Sequence, residues 1–184
     1  MAKVLILTDI FGKSYFSKNL LAFDEYFVLD PYADEFVLFE DEKEAYNKYI
    51  RLSGHDKYLQ RAQEFCLKEK IEVIIGFSAG GSIAWRLSDL NIPSLKKVIS
   101  FYPSQIRNHL DISPKVEVNI IFAKKEHSFD TQEIVNFLKK KGIEELEISD
   151  FDHGFMNKNS KNFNQKAFEK YKDYLKGKLQ SLTL

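Results

Sequence analysis

Ser78 sits in Gly76-Phe77-Ser78-Ala79-Gly80-Gly81, a G-x-S-x-G pattern between the apolar run Val73-Ile74-Ile75 and a stretch of helical period from Ser82 to Leu90. A serine on a very tight strand-to-helix turn is held in a strained backbone conformation. Side chains two residues before and after it would collide, so both places call for glycine. Such a turn lifts the hydroxyl clear of the sheet. It also aims the amide of Ala79 and the start of the following helix at a reacting carbonyl oxygen. The other common use of a glycine-rich helix start is to cradle phosphate. No Lys-Ser or Lys-Thr pair follows this one, and no G-x-G-x-x-G is present, so the nucleophile reading is preferred.

A nucleophilic serine needs a base and an acid that orients the base. In sheets carrying such a turn, both come later in the chain, acid first, each on a loop after a strand. The sequence has four histidines. His55 precedes Ser78 and reads as flanking a helix start. His109 lies in a polar loop after Pro103, and His127 follows the β-branched run Val116 to Phe122. His153 follows the last strand-like run and has a glycine beside it, Asp152-His153-Gly154-Phe155. The acid is expected in Lys124-Lys125-Glu126-His127-Ser128-Phe129-Asp130, where Glu126 is the candidate. Asp130 precedes Thr131-Gln132-Glu133 and reads as a helix cap. Asp152 adjoins His153, and neighbouring side chains diverge. A second oxyanion donor is expected from Thr8-Asp9-Ile10-Phe11-Gly12, with the amide of Ile10 joining that of Ala79.

These residues need a sheet to hold them. Val4 to Leu7, Tyr26 to Leu29, Val73 to Ile75, Val98 to Tyr102, Val116 to Phe122 and Leu146 to Ile148 are short apolar runs without alternation, as in parallel strands buried on both faces. Helical stretches separate them, at Ser14 to Phe23, Asp56 to Lys70, Ser82 to Leu90, Thr131 to Lys140 and Phe163 to Leu179. The alternation predicts an α/β three-layer sandwich with a parallel sheet of about six strands. The segment from Tyr32 to Gly54 is the one connection long enough for an extra element. It is expected to be helical from Asp41 to Leu52, with Tyr46, Tyr49 and Ile50 as an apolar stripe that either covers the sheet edge or forms a small lid.

Composition narrows the partners. The 184 residues fit one domain, 1–184. Lys+Arg and Asp+Glu are 27 each, so there is no electrostatic footprint for nucleic acid or an anionic membrane. Hydrophobic residues at 44% can build a sizeable core. One cysteine, Cys66, excludes an intramolecular disulfide and a cysteine metal cluster. No run approaches a membrane span or a signal-peptide core, so a cytoplasmic protein is expected, with no metal or cofactor implied.

Four segments, in order, look like the dienelactone hydrolase family of α/β hydrolases. They are Asp9-Ile10-Phe11-Gly12, Gly76-Phe77-Ser78-Ala79-Gly80-Gly81, Lys124-Lys125-Glu126-His127-Ser128-Phe129 and Asp152-His153-Gly154-Phe155-Met156-Asn157. The resemblance implies a minimal α/β-hydrolase fold and a triad of Ser78, Glu126 and His153. Asp9 matches a family carboxylate near the nucleophile, and Asp9, Phe11 and Asn157 are candidates for tuning it or touching substrate. The namesake enzymes use cysteine where this chain has Ser78, and the family's usual acid is aspartate where this chain has Glu126. Dienelactone-cleaving members place an arginine shortly after the catalytic histidine, where this chain reads Met156-Asn157-Lys158. Arg86 is expected to point away from the nucleophile, and the sequence leaves Arg51 and Arg107 unplaced. The expected activity is therefore cleavage of small esters through an acyl-enzyme, with neutral short-chain esters preferred to carboxylated ones. A thioesterase or peptidase-like serine hydrolase is the alternative, as is a non-catalytic binding protein that keeps the turn.

Overall fold

The computed structural model describes residues 2–13, 20, 26–33 and 37–180. Six strands form one sheet: β1 (Val4–Leu7), β2 (Tyr26–Leu29), β3 (Val73–Phe77), β4 (Lys97–Phe101), β5 (Glu117–Phe122) and β6 (Leu146–Ile148). All neighbours pair in parallel, in the spatial order β2-β1-β3-β4-β5-β6. The strand that leads into Ser78 is thus third of six. The five described helices are α1 (Glu42–Leu52), α2 (Gly54–Glu69), α3 (Ala79–Leu87), α4 (Thr131–Lys140) and α5 (Gln165–Gln180).

Side-chain alternation along the strands splits the core into two layers. Leu5, Leu7, Ile74, Val98, Ile120 and Phe122 pack on one face with residues of α2, α3 and α4, including the fully buried Trp85. Val4, Ile6, Val73, Ile75, Ile99 and Ile121 pack on the other with α5 through Ala167, Phe168, Tyr171 and Leu175. Helices on both faces leave no wet side to the central strands, which is why they read as largely apolar runs, with Ser100 and Asn119 buried within them.

The expected three-layer sandwich with six parallel strands is what the chain forms. All but Leu20 of the helix expected over Ser14 to Phe23 lies outside the described residues. Some boundaries differ for local reasons. α2 begins at Gly54 rather than Asp56, and Asp56, inside its first turn, pairs with Arg86 at 3.0 Å. α5 begins at Gln165, where Asn164 Oδ1 accepts from the Ala167 amide. α3 begins at Ala79 rather than Ser82 and so runs through Gly80 and Gly81. Those glycines answer to their neighbours across the fold rather than to helix propensity. Among the described residues no helix is long and apolar enough to cross a membrane.

Candidate active site

The sheet's parallel strands all point their C-terminal ends one way, and loops from different strands therefore converge there. β3 ends at Phe77, and Ser78 follows with φ 51° and ψ −109°, a backbone that L-residues adopt under constraint. The Ser78 amide donates to the Phe101 carbonyl at 3.0 Å. Its own carbonyl accepts from the Ser82 amide at 3.0 Å and the Ser82 hydroxyl at 3.1 Å. A side-chain carbon on Gly76 would lie 2.6 Å from the Gly80 carbonyl carbon, and one on Gly80 would lie 2.5 Å from the Thr8 carbonyl oxygen. In both cases the obstacle is backbone, which cannot rotate away.

Gly80→Ala is accordingly expected to destabilise the protein by about 3 kcal/mol or more. Gly177→Ala is the matched control, because nothing stands within 4 Å of a methyl at that position in α5. It is expected to stabilise by about 0.5–1 kcal/mol through helix propensity. Urea unfolding midpoints of the two variants measure the opposed signs.

Ser78 Oγ lies 2.8 Å from His153 Nε2. The other ring nitrogen, Nδ1, faces both carboxylate oxygens of Glu126, at 2.7 and 2.9 Å. Hydroxyl, imidazole and carboxylate thus form one hydrogen-bonded chain across three loops. The Glu126 side chain is 8% exposed and that of His153 is 24% exposed, so the pair is shielded from water on the carboxylate side and open on the serine side. The His153 carbonyl accepts from Asn162 Nδ2 at 2.9 Å, and Tyr102 packs on its ring with centroids 4.9 Å apart. These contacts hold the ring's position. Asp130 caps α4, its Oδ1 accepting from the Glu133 amide at 3.0 Å, and Asp152 is exposed.

The loop after β1 is held from several sides. Tyr32 Oη donates to the Ile10 carbonyl at 2.5 Å, and Tyr58 Oη donates to the Leu29 carbonyl at 2.9 Å and the Thr8 carbonyl at 3.2 Å. Asp9 Oδ1 accepts from the Phe11 amide at 3.0 Å, and Asp9 Oδ2 accepts from Asn157 Nδ2 at 2.5 Å. Asn157 therefore ties the first loop to the loop that carries His153. Burial raises the Asp9 carboxyl above the usual aspartate range, opposed by these two hydrogen bonds and by the nearby His153. The amides of Ile10 and Ala79 have no hydrogen-bond partner among the described residues. Both residues line one cleft with Ser78, His153 and Glu126.

That cleft has a volume of about 380 Å³. α1 supplies one wall through Glu42, Tyr46 and Tyr49, so the extra element between β2 and α2 borders the site. Tyr46 is exposed and Tyr49 is buried, so the expected apolar stripe is divided between solvent and core. Gln105 and Arg107 also line the cleft. Arg86 pairs with Asp56, away from the serine. Arg107 reaches the cleft, with its Nη1 donating to the Ser104 carbonyl at 2.8 Å and its guanidinium over the Phe129 ring at 5.8 Å. His55, read from sequence as flanking a helix start, is in the first turn of α2 and also lines the cleft. No spacing in the sequence marks Arg107, Gln105 or His55, because α1, α2 and the loop after β4 meet only in the folded chain. Among the described residues, no group of three or more histidine, cysteine, aspartate or glutamate side chains is arranged to hold a metal ion.

Comparison with known proteins agrees with this architecture. The family model for the dienelactone hydrolase family matches residues 3–179. The chain is 32% identical over 186 residues to the uncharacterized protein YczH of Bacillus subtilis, spanning 98% of this chain and 86% of that one. A crystallised Xanthomonas campestris protein placed in the alpha/beta hydrolase superfamily superposes with a TM-score of 0.68 at 16% identity, over 98% of this chain and 99% of the other. Esterase PE8 superposes with a TM-score of 0.58 at 17% identity, over 96% and 92%.

Proposed function

The chain belongs to the dienelactone hydrolase family of α/β hydrolases, and from that premise we propose that it is a serine hydrolase cleaving small esters through Ser78, His153 and Glu126. One observation carries the reading. Ser78 Oγ, on a strained turn, is 2.8 Å from a ring nitrogen whose opposite nitrogen faces a carboxylate at 2.7 Å.

In the resting state His153 keeps its proton on Nδ1, donated to Glu126, and Nε2 accepts from the Ser78 hydroxyl. Ser78 Oγ attacks the ester carbonyl carbon as its proton passes to Nε2. The carbonyl π electrons move to oxygen, and the amides of Ile10 and Ala79 donate to that oxyanion. Glu126 stabilises the imidazolium without taking its proton. Collapse of the tetrahedral intermediate expels the alcohol oxygen, which leaves with the proton from Nε2. Water then repeats the sequence on the acyl-enzyme, with His153 as base, and releases the acid and the free serine. Tyr32, Tyr58 and the Asp9–Asn157 contact keep the Ile10 amide in place beforehand, so little reorganisation is needed as charge develops.

A fluorophosphonate reports an activated serine without knowledge of the substrate. The protein is expected to be labelled on the peptide containing Ser78 and to turn over para-nitrophenyl acetate. A folded protein that does neither would overturn the reading.

A further inference from the structure

Tyr49 and His55 form a polar pair in the wall of the cleft that the proposed mechanism does not use. Tyr49 Oη lies 2.8 Å from His55 Nδ1, with the rings edge-on at 5.1 Å. Tyr49 is fully buried, and His55 is its hydroxyl's partner among the described residues. If Nδ1 carried a hydrogen and donated, the tyrosine proton would be buried without an acceptor, which is the costlier arrangement. Tyr49 therefore donates and Nδ1 accepts. Burial, helped by Arg86, pushes the His55 pKa below the ordinary histidine value, opposed by Asp56. The ring is then neutral near pH 7 and carries its one proton on Nε2. Nε2 is on the ring edge away from Tyr49 and has no partner among the described residues.

We propose that His55, with its tautomer set by Tyr49, is a specificity-determining hydrogen-bond donor that recognises an oxygen acceptor on the ester substrate. The substrate class is then an ester bearing a hydroxyl, ether or keto oxygen on its acyl or alcohol part, rather than a plain alkyl ester. This rests on the hydrolase reading above. Two further residues with polar side chains, Gln105 and Arg107, line the same cleft. An alkyl chain against His55 would cover an N–H and return no acceptor. Sites built to hydrogen-bond a substrate discriminate strongly against analogues lacking the partner. With His55 half-buried, the expected preference is about tenfold.

The experiment compares kcat/KM for matched esters. Para-nitrophenyl β-hydroxybutyrate against para-nitrophenyl isovalerate probes the acyl side, and methoxyethyl acetate against butyl acetate probes the alcohol side. The wild type is expected to favour the oxygen-bearing member of at least one pair by about tenfold. His55→Ala should abolish that preference, and His55→Gln, which retains an N–H donor, should keep part of it. Tyr49→Phe keeps the aromatic ring but removes the hydrogen bond that orients the imidazole, and should weaken the preference even where His55→Ala proves unstable. Turnover with no preference in either pair, or a preference that survives in His55→Ala or is untouched in Tyr49→Phe, overturns the proposal and leaves the hydrolase reading standing. A folded wild type that neither turns over para-nitrophenyl acetate nor is labelled by a fluorophosphonate overturns the hydrolase reading, and this proposal falls with it.

Discussion

Ser78→Ala is expected to reduce kcat on para-nitrophenyl acetate by at least about 10⁴-fold while leaving the fold intact. The substitution removes one oxygen, and that oxygen is the atom proposed to form the acyl bond. The residual rate would come from binding and from the amides of Ile10 and Ala79, the proposed oxyanion donors, which the substitution leaves in place. The structural cost is small. The Ser78 backbone amide and carbonyl hold the turn through Phe101 and Ser82, and neither contact uses the hydroxyl. The measurement is steady-state turnover beside a thermal unfolding curve, with fluorophosphonate labelling lost in parallel. A folded Ser78→Ala protein with wild-type turnover would show that another nucleophile acts.

Glu126→Gln is expected to lower kcat by about 10³- to 10⁴-fold, with Asp130→Asn and Asp152→Asn each changing it by less than about tenfold. A glutamine can meet His153 Nδ1 in two ways. With its carbonyl toward Nδ1–H, it keeps the tautomer but brings no negative charge to the imidazolium. With its amide toward Nδ1, it makes that nitrogen an acceptor and moves the ring proton to Nε2. Nε2 then cannot take the proton of Ser78. Either arrangement damages the proton transfer, and the bidentate approach of Glu126 at 2.7 and 2.9 Å makes both geometrically accessible. Asp130 is engaged as the α4 cap and Asp152 is exposed, so their loss should act on stability or not at all. A larger activity loss from Asp152→Asn than from Glu126→Gln would reassign the acid.

The two results together test the division of labour within the hydrogen-bonded chain. Residues that act as a unit do not add, so the double variant Ser78→Ala, Glu126→Gln should be hardly slower than Ser78→Ala alone. Independent, multiplying losses would mean that Glu126 serves some purpose other than orienting His153.

The sequence by itself determined the layers and the order of the loops. Strands buried on both faces are predominantly apolar, so each of β1, β3, β4 and β5 announced itself as a short run, and the helical stretches between them left a parallel sheet as the solution. Ser78 was legible because backbone crowding at a tight turn admits only glycine at 76 and 80, a local constraint that marks the sequence directly. Glu126 and His153 were legible only through their order after later strands, which places a loop near the site but says nothing of the direction of a side chain. Their meeting at 2.7 Å is a tertiary fact. So is the composition of the cleft wall. α1 was anticipated, but its stripe of Tyr46 and Tyr49 divides between solvent and core according to how α1 rests on its neighbours. His55 and Arg107 are separated from Ser78 in the chain by 23 and 29 residues, with no periodicity linking them to it. They arrive at the cleft because parallel strands deliver the segments that follow them to the same end of the sheet, and which side chains then face one another depends on packing across elements that no local pattern records.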